Sequence, residues 1–462
     1  MSAQVHHRSH RRPARGAASL IVVMVLFFII SLVAAYTSRN LIFEQRTSGN
    51  QYRSTLAFEA ADAGIEWALA RLNDARMSDD CKPLPNAAAV NAAAPQPSFR
   101  ERYLSIDVST GNITPQPDAA GGQPNRLAGC VFNGSDWSCD CPATGEPSPV
   151  FAQSGAGPYV AFWIRFSVAT PALVTPRPGI VRVDVNSCTR LDPACLRFSR
   201  AAQSGDGLAT LSAVLALRSG LGSPPNAPLL VRGSTVVDPG ATLTATNTDA
   251  ASTGMTVLSG AAFNPAIATL QTLPGTPVAN SVITGDPLVV LPDIVPALVP
   301  ATPASNGVDR MFNSVFGMWS TTYREQPAAV VIDCAGGCNA SDANGVNDMA
   351  LLEPGHVIYV TGAGPLRIDA DVGTAANPVL VVAEGSVEFG GAPQTLRGVL
   401  YSRAATWTTA NAGTVQGAIV AEQDLRIQGN QNLVYDADVM NRLRNLSGSF
   451  VKVPGGWRDF AP

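Results

Sequence analysis

The sequence is poor in charge, in histidine and in catalytic motifs. Charged residues make up 14% of 462, with none of the charge runs that mark a disordered polyelectrolyte. The formal net charge is −4, and no basic patch stands out beyond the first fifteen residues. Nucleic-acid binding, which draws its affinity from clustered cations, has no electrostatic support. The histidines are His6, His7, His10 and His356, so a triad or a histidine-rich metal centre in the body of the chain would hang on His356 alone. No nucleophile elbow, phosphate loop or metalloprotease helix motif is present. Neither an enzymatic activity nor a cofactor is expected. No cysteine precedes Cys81, and no proline falls between residues 14 and 82, which leaves room for one long uninterrupted helix.

What fills that stretch is apolar first and amphipathic second. Arg8, Arg11, Arg12 and Arg15 lead to Gly16, and from Ala17 to Ser38 there is no charge. About 20 apolar residues in a helix cross the ~30 Å hydrocarbon core of a bilayer, and Ala17 to Tyr36 has that length. The preceding arginines should stay cytoplasmic and send the rest of the chain outward. A cleaved secretory signal would have a shorter core followed by small residues; here Gly16, Ala17 and Ala18 come before the apolar run. Beyond Thr37, Phe58, Ala61, Ile65, Leu69 and Leu72 recur at spacings of three and four, one helical face. A single helix from Ala17 to about Arg76 would be roughly 90 Å long. Gly49 and Gly64 are its expected weak points, each costing about 1 kcal/mol relative to alanine.

The next part, residues 81–222, is expected to be a small α/β unit. Its first half is rich in Pro, Ala, Gly and Asn and reads as loop. Then Tyr159 to Val168, Gly179 to Cys188 and Gly207 to Ser219 read as strands, with Val181, Val183 and Val185 alternating against Arg182 and Asp184. Three antiparallel strands are expected to cover the amphipathic half of the helix. The run Ser223 to Pro228 marks a boundary, and residues 223–462 form a second, β-rich unit. There the apolar runs beginning at Val357, Val379, Val399 and Ala418 recur about every 20 residues, each followed by a shorter strand-like run at Leu366, Val387, Thr406 and Leu425. Strands at that period suggest coils of a parallel β-solenoid, each burying its inner face only by stacking. Pro228 to Asn247 reads as an earlier coil, residues 263–354 as an insert, and Asn432 to Leu443 as a capping helix. The fold class is thus α+β: a long helix on a small antiparallel sheet, followed by a solenoid-like domain. A β-sandwich with accidental spacing is the alternative.

Eight cysteines behind a membrane-targeting segment favour disulfides. Cys188 and Cys195 flank one short turn, Cys334 and Cys338 another. Cys81, Cys130, Cys139 and Cys141 allow three connectivities. Structural zinc would need properly spaced pairs or nearby histidines, which are missing. The cluster Asp342, Asn344, Asn347 and Asp348 faintly resembles a calcium loop, but its glycine is misplaced and no terminal glutamate follows; a solvated polar turn is the expectation. Trp407 is left open between core and surface.

The segment from Arg15 to Ala34, followed by Arg46 to Leu69 with Ser48-Gly49-Asn50-Gln51 and Ala57-Phe58-Glu59-Ala60-Ala61, resembles the N-terminal region of PilX-family minor pilins of type IV pili. The resemblance covers about the first 75 residues. It implies a leader of residues 1–16 cut after Gly16 by prepilin peptidase, N-methylation of Ala17, and a pilin helix within residues 17–80. Major pilins of this kind carry glutamate as the fifth mature residue; here Ile21 stands there. A buried carboxylate needs a partner, so an apolar residue suits a subunit with none ahead of it, near the tip. The resemblance further implies an inner-membrane, single-pass precursor with its C-terminal part periplasmic. It also implies priming of pilus assembly, a role in twitching motility and cell adhesion, and partners among PilV-, PilW- and FimU-type minor pilins and a PilY-type tip adhesin. Two other readings fit the same segment: a tip pseudopilin of type II secretion, and a membrane-anchored adhesin with an uncleaved leader.

Overall fold

The structure is a computed structural model and describes residues 15–91, 93–121, 124–155, 157–169, 178–198, 207–290 and 308–459. The part of the expected leader before Arg15 lies outside the described residues. A single helix runs from Arg15 to Leu72 without a break. Gly49 and Gly64 do not interrupt it. A Cβ on Gly64 would stand 2.8 Å from Val185 Cγ1 and 3.0 Å from Phe162 Cδ2, so the missing side chain is what lets the sheet approach. The buried stripe differs from the expected one for the same reason. Ala57, Ala60, Ala61, Ile65, Ala68 and Leu72 are buried, whereas Phe58 is 39% exposed and meets Trp457 edge-on. Small residues, more than large apolar ones, face the sheet.

That sheet is antiparallel and has six strands. Its order is Gly448–Arg458, Leu208–Ser219, Ile180–Cys188, Val160–Ser167, Leu127–Phe132 and Trp137–Asp140. The three expected strands are three of its four inner members. Alternation along Val160–Ser167 sends Phe162, Ile164 and Phe166 to the helix side and Ala161 and Trp163 to the opposite face, as a period of two requires. Two of this sheet's strands, Leu127–Phe132 and Trp137–Asp140, lie in the region that reads as loop, as does a separate pair, Leu104–Ile106 and Ile113–Pro115. The strand Gly448–Arg458 comes from the far end of the chain, so the expected boundary at residues 222/223 does not separate two independent segments.

The β-rich unit is a stack of short strands paired in parallel. On its longest side the order is Ala329–Asp333, Val357–Thr361, Val379–Ala383, then 398–402, 417–421, Leu229–Val231, Val257–Ser259 and Val282–Thr284. The numbering climbs from 329 to 421 and then drops to 229. The chain therefore enters the stack in its middle and builds to one end. It resumes at the other end with Ala329–Asp333 and builds back until 417–421 meets Leu229–Val231. Two further sides show the same permuted order: Thr406–Thr409 pairs with Asp424–Ile427, which pairs with Thr235–Val237, and Asn430–Val434 pairs with Thr242–Thr246. The early coil at Pro228 to Asn247 is thus a neighbour of the last one. The expected insert at 263–354 is only partly outside the stack, since Thr269–Gln271, Val282–Thr284, Ala329–Asp333 and Cys338–Asn339 all pair within it. At the corners, Gly398 and Gly417 have φ of +152° and +139°, and a Cβ on either would fall about 2 Å from the carbonyl oxygen of the coil before.

Inside the stack lie Val381, Leu400, Ile419, Val231 and Val257. Trp407 belongs to this interior, 1% exposed, and its Nε1 donates to Val387 O at 2.8 Å. The outer face of the long side carries a second core. There Val308–Phe316 lays Phe312 and Phe316 against Tyr401, and Ser320–Arg324 packs Tyr323 on both phenylalanines. The run 432–443 is not one helix. It is the end of the strand Asn430–Val434 followed by the helix Ala437–Leu446, N-capped by Asp436, which packs Val439, Met440 and Leu443 on the side of the stack, not over its end.

Candidate assembly surface and its anchorage

From residue 19 to residue 55 every side chain of the helix is exposed. This is the one described helix long and apolar enough to cross a membrane. Leu20 through Val33 present an apolar surface on all sides, Phe27 being 72% and Ile21 61% exposed. Three of its hydroxyls are satisfied internally: Thr37 Oγ1 donates to Val33 O at 2.9 Å, Ser38 Oγ to Ala35 O at 3.0 Å, and Thr47 Oγ1 to Phe43 O at 2.9 Å. Such a helix presents no unpaired side-chain hydroxyl at these positions to lipid or to a neighbouring helix. Gly16 and Ala17 lie in its first turn.

The head end of the helix is fastened by two buried arginines. Arg100 follows the N-cap Ser98 in a short helix, Phe99–Tyr103, closed by a capping box with Glu101. Its Nε donates to Leu72 O at 3.0 Å, Nη1 to Leu446 O at 3.3 Å and Nη2 to Gly448 O at 3.2 Å. Leu72 and Leu446 are the last residues of two helices, so one cation caps two helix C-termini. Burial holds its pKa down to about 10, still charged at neutral pH. Arg76 does the same for a third helix, Val346–Leu352, with Nε to Leu351 O at 2.7 Å, while Nη1 reaches Gln96 O at 2.6 Å. Asn73 completes the joint as a backbone mimic: Phe450 N donates to its Oδ1 at 2.7 Å and its Nδ2 donates to Phe450 O at 2.9 Å. Helix, sheet and stack therefore share one polar joint.

His356 lies in this joint, its Nε2 3.2 Å from Glu353 Oε2. Its Nε2 is 3.0 Å from Asn73 O, and burial, then the charge of Arg100, pushes its pKa down to about 4. It is neutral at pH 7. A second buried polar group ties Val308–Phe316 to the stack. Arg403 donates to Asp309 at 2.6 Å and to Glu422 at 3.0 Å, and Tyr401 donates to Glu422 at 2.9 Å. Two carboxyls share one guanidinium, and burial drives Glu422 up to about 7 against the pull of Arg403.

The eight cysteines form four disulfides: Cys81–Cys141, Cys130–Cys139, Cys188–Cys195 and Cys334–Cys338. Of the three open connectivities, the hairpin decides, because Cys130 and Cys139 stand directly opposite in register. In the polar turn, Asp342 accepts from Asn339 N at 2.7 Å and Asp348 from Asn344 N at 2.9 Å, so both carboxylates are engaged by their own loop. Arg100, Arg76 and Asn73 escape a reading by periodicity. Only the Ser98-to-Glu101 spacing signals the helix that carries Arg100.

Comparison with known proteins gives three findings. No curated protein matches. Among solved structures, the competence-associated pilin ComZ from Thermus thermophilus aligns over 88% of this chain and 97% of its own, at 9% identity and a TM-score of 0.19, too low for the likeness to bear on fold or function. The model of the PilX N-terminal family matches residues 15–66. That span contains the exposed apolar helix and ends inside its buried half; over it the chain is similar to the PilX N-terminal family.

Proposed function

We propose that the protein is a minor pilin of a type IV pilus. The observation that carries this is the helix whose residues 19–55 are exposed, apolar in its first half, projecting from a folded head. Prepilin peptidase cuts after Gly16 and the new N-terminus at Ala17 is methylated. The membrane shelters the apolar helix until assembly, when neighbouring pilin helices replace lipid. Ile21 suits a subunit present in few copies near the tip, where it primes assembly beside PilV-, PilW- and FimU-type pilins and a PilY-type adhesin. We read the stack of coils as a parallel β-solenoid carried outside the filament as a recognition surface, with no enzymatic role. Its bulk argues against placement at every position of a packed filament. Deletion of the gene should reduce surface piliation and twitching without lowering the major pilin. Immunogold labelling along the whole shaft would contradict the tip position.

A further inference from the structure

A cavity of about 590 Å³ lies between residues 63–71 of the helix and the edge hairpin of the sheet. Phe162 sits between two tryptophans, its ring centroid 5.7 Å from those of both Trp67 and Trp137. Trp137 is 50% exposed, an apolar ring left open to water on an edge strand. Arg71, Asp80 and Lys82 also line the cavity. The walls are covalently fixed, because Cys81, Cys130 and Cys139 face the space from two disulfides. A rigid, part-aromatic cavity with a few polar groups is the usual form of a small-ligand site.

The polar groups narrow the ligand class. Arg71 is held by Asp74 at 2.5 Å and Lys82 by Asp80 at 2.8 Å, so the cations are already neutralised and a free anion finds no excess charge. A wholly apolar ligand would cover these ion pairs without replacing their water. A neutral molecule with one apolar face and hydroxyls around its edge meets both demands, since the rim offers donors and acceptors together. We propose that this cavity binds a saccharide ring, stacked on Trp137, with its hydroxyls taken by Lys82 and Asp80. The site lies in the helix-and-sheet part, apart from the stack, and does not depend on the pilus reading.

The test uses the full chain in a detergent without a sugar headgroup. The probes are methyl glycosides of neutral hexoses and of N-acetylated hexosamines, read by saturation-transfer NMR and tryptophan fluorescence. At least one glycoside should bind saturably. Trp137→Ala and, independently, Lys82→Ala should each weaken it at least tenfold with thermal unfolding unchanged, and Trp137→Phe should keep most of the affinity. Absence of binding across both sets overturns the proposal, as does binding that neither alanine variant weakens. Capture of another pilin subunit by a photo-crosslinker at position 137 in cells, with no glycoside bound, would assign the cavity to a protein contact and overturn it equally.

Discussion

Replacing Arg100 by leucine should loosen the joint between helix, sheet and stack. The guanidinium is fully buried and serves three carbonyls: Leu72 O, Leu446 O and Gly448 O. Leaving a buried acceptor without a donor costs about 1–3 kcal/mol, so three orphaned carbonyls set the gross loss at roughly 3–9 kcal/mol. Part returns because leucine spares the protein the dehydration of a cation. A net loss of about 3–5 kcal/mol is expected. Arg100→Lys should recover only a fraction, since an ammonium cannot span three carbonyls in a plane. Arg426→Ala provides the contrast: its partner is Asp238 in an exposed pair, so its loss should leave stability little changed. Urea unfolding of the full chain at pH 7 with disulfides intact, followed by tryptophan fluorescence and far-UV circular dichroism, reads all three. Arg100→Leu should also split one transition into two as the stack and the sheet lose their common support. A leucine variant within about 1 kcal/mol of the parent, with an unchanged slope, would refute the joint as described.

His356 makes stability fall with acid: its pKa is about 4 folded against 6.5 unfolded, so the unfolded state takes the proton first. The loss should begin near pH 6.5, reach about 3 kcal/mol by pH 4, and be absent from a His356→Gln variant. Gly64→Ala should destabilise by about 1–3 kcal/mol through contact with Val185 and Phe162, although alanine is the better helix former; Gly49→Ala, with nothing within 4 Å, should not, and thermal melts of the pair decide. Thiol labelling without reductant should find no free cysteine, and replacing Cys81 and Cys141 with serine should cost about 4 kcal/mol for a separation of 60 residues.

The helix and three inner strands were legible because their periods are local, 3.6 and 2 residues, and each repeats several times. Leu127–Phe132 was not, since five of its six residues are buried and a strand covered on both faces does not alternate. Gly64 misled in the other direction: helix propensity counts a glycine as a weakness, while the fold uses it for close approach. The repeat after Pro354 was visible, but its permuted order was not. Leu425 beside Thr235 is a pairing between distant segments, and no spacing within either foretells it. The joint was the least legible part. Its acceptors are helix ends from three regions of the chain, brought together only by the fold, and Arg100 and Arg76 look like ordinary surface arginines until those ends are in place.

The central claim is that the exposed helix begins a processed filament subunit. The mature N-terminus, determined by mass spectrometry on protein recovered from sheared surface filaments, tests it most directly. The account predicts a chain that starts at Ala17, carries a methyl group on its terminal amine and is far less abundant than the major pilin. A chain that retains its leader before Gly16, in cells with active prepilin peptidase, would contradict it, and so would a chain that never leaves the membrane for the filament fraction.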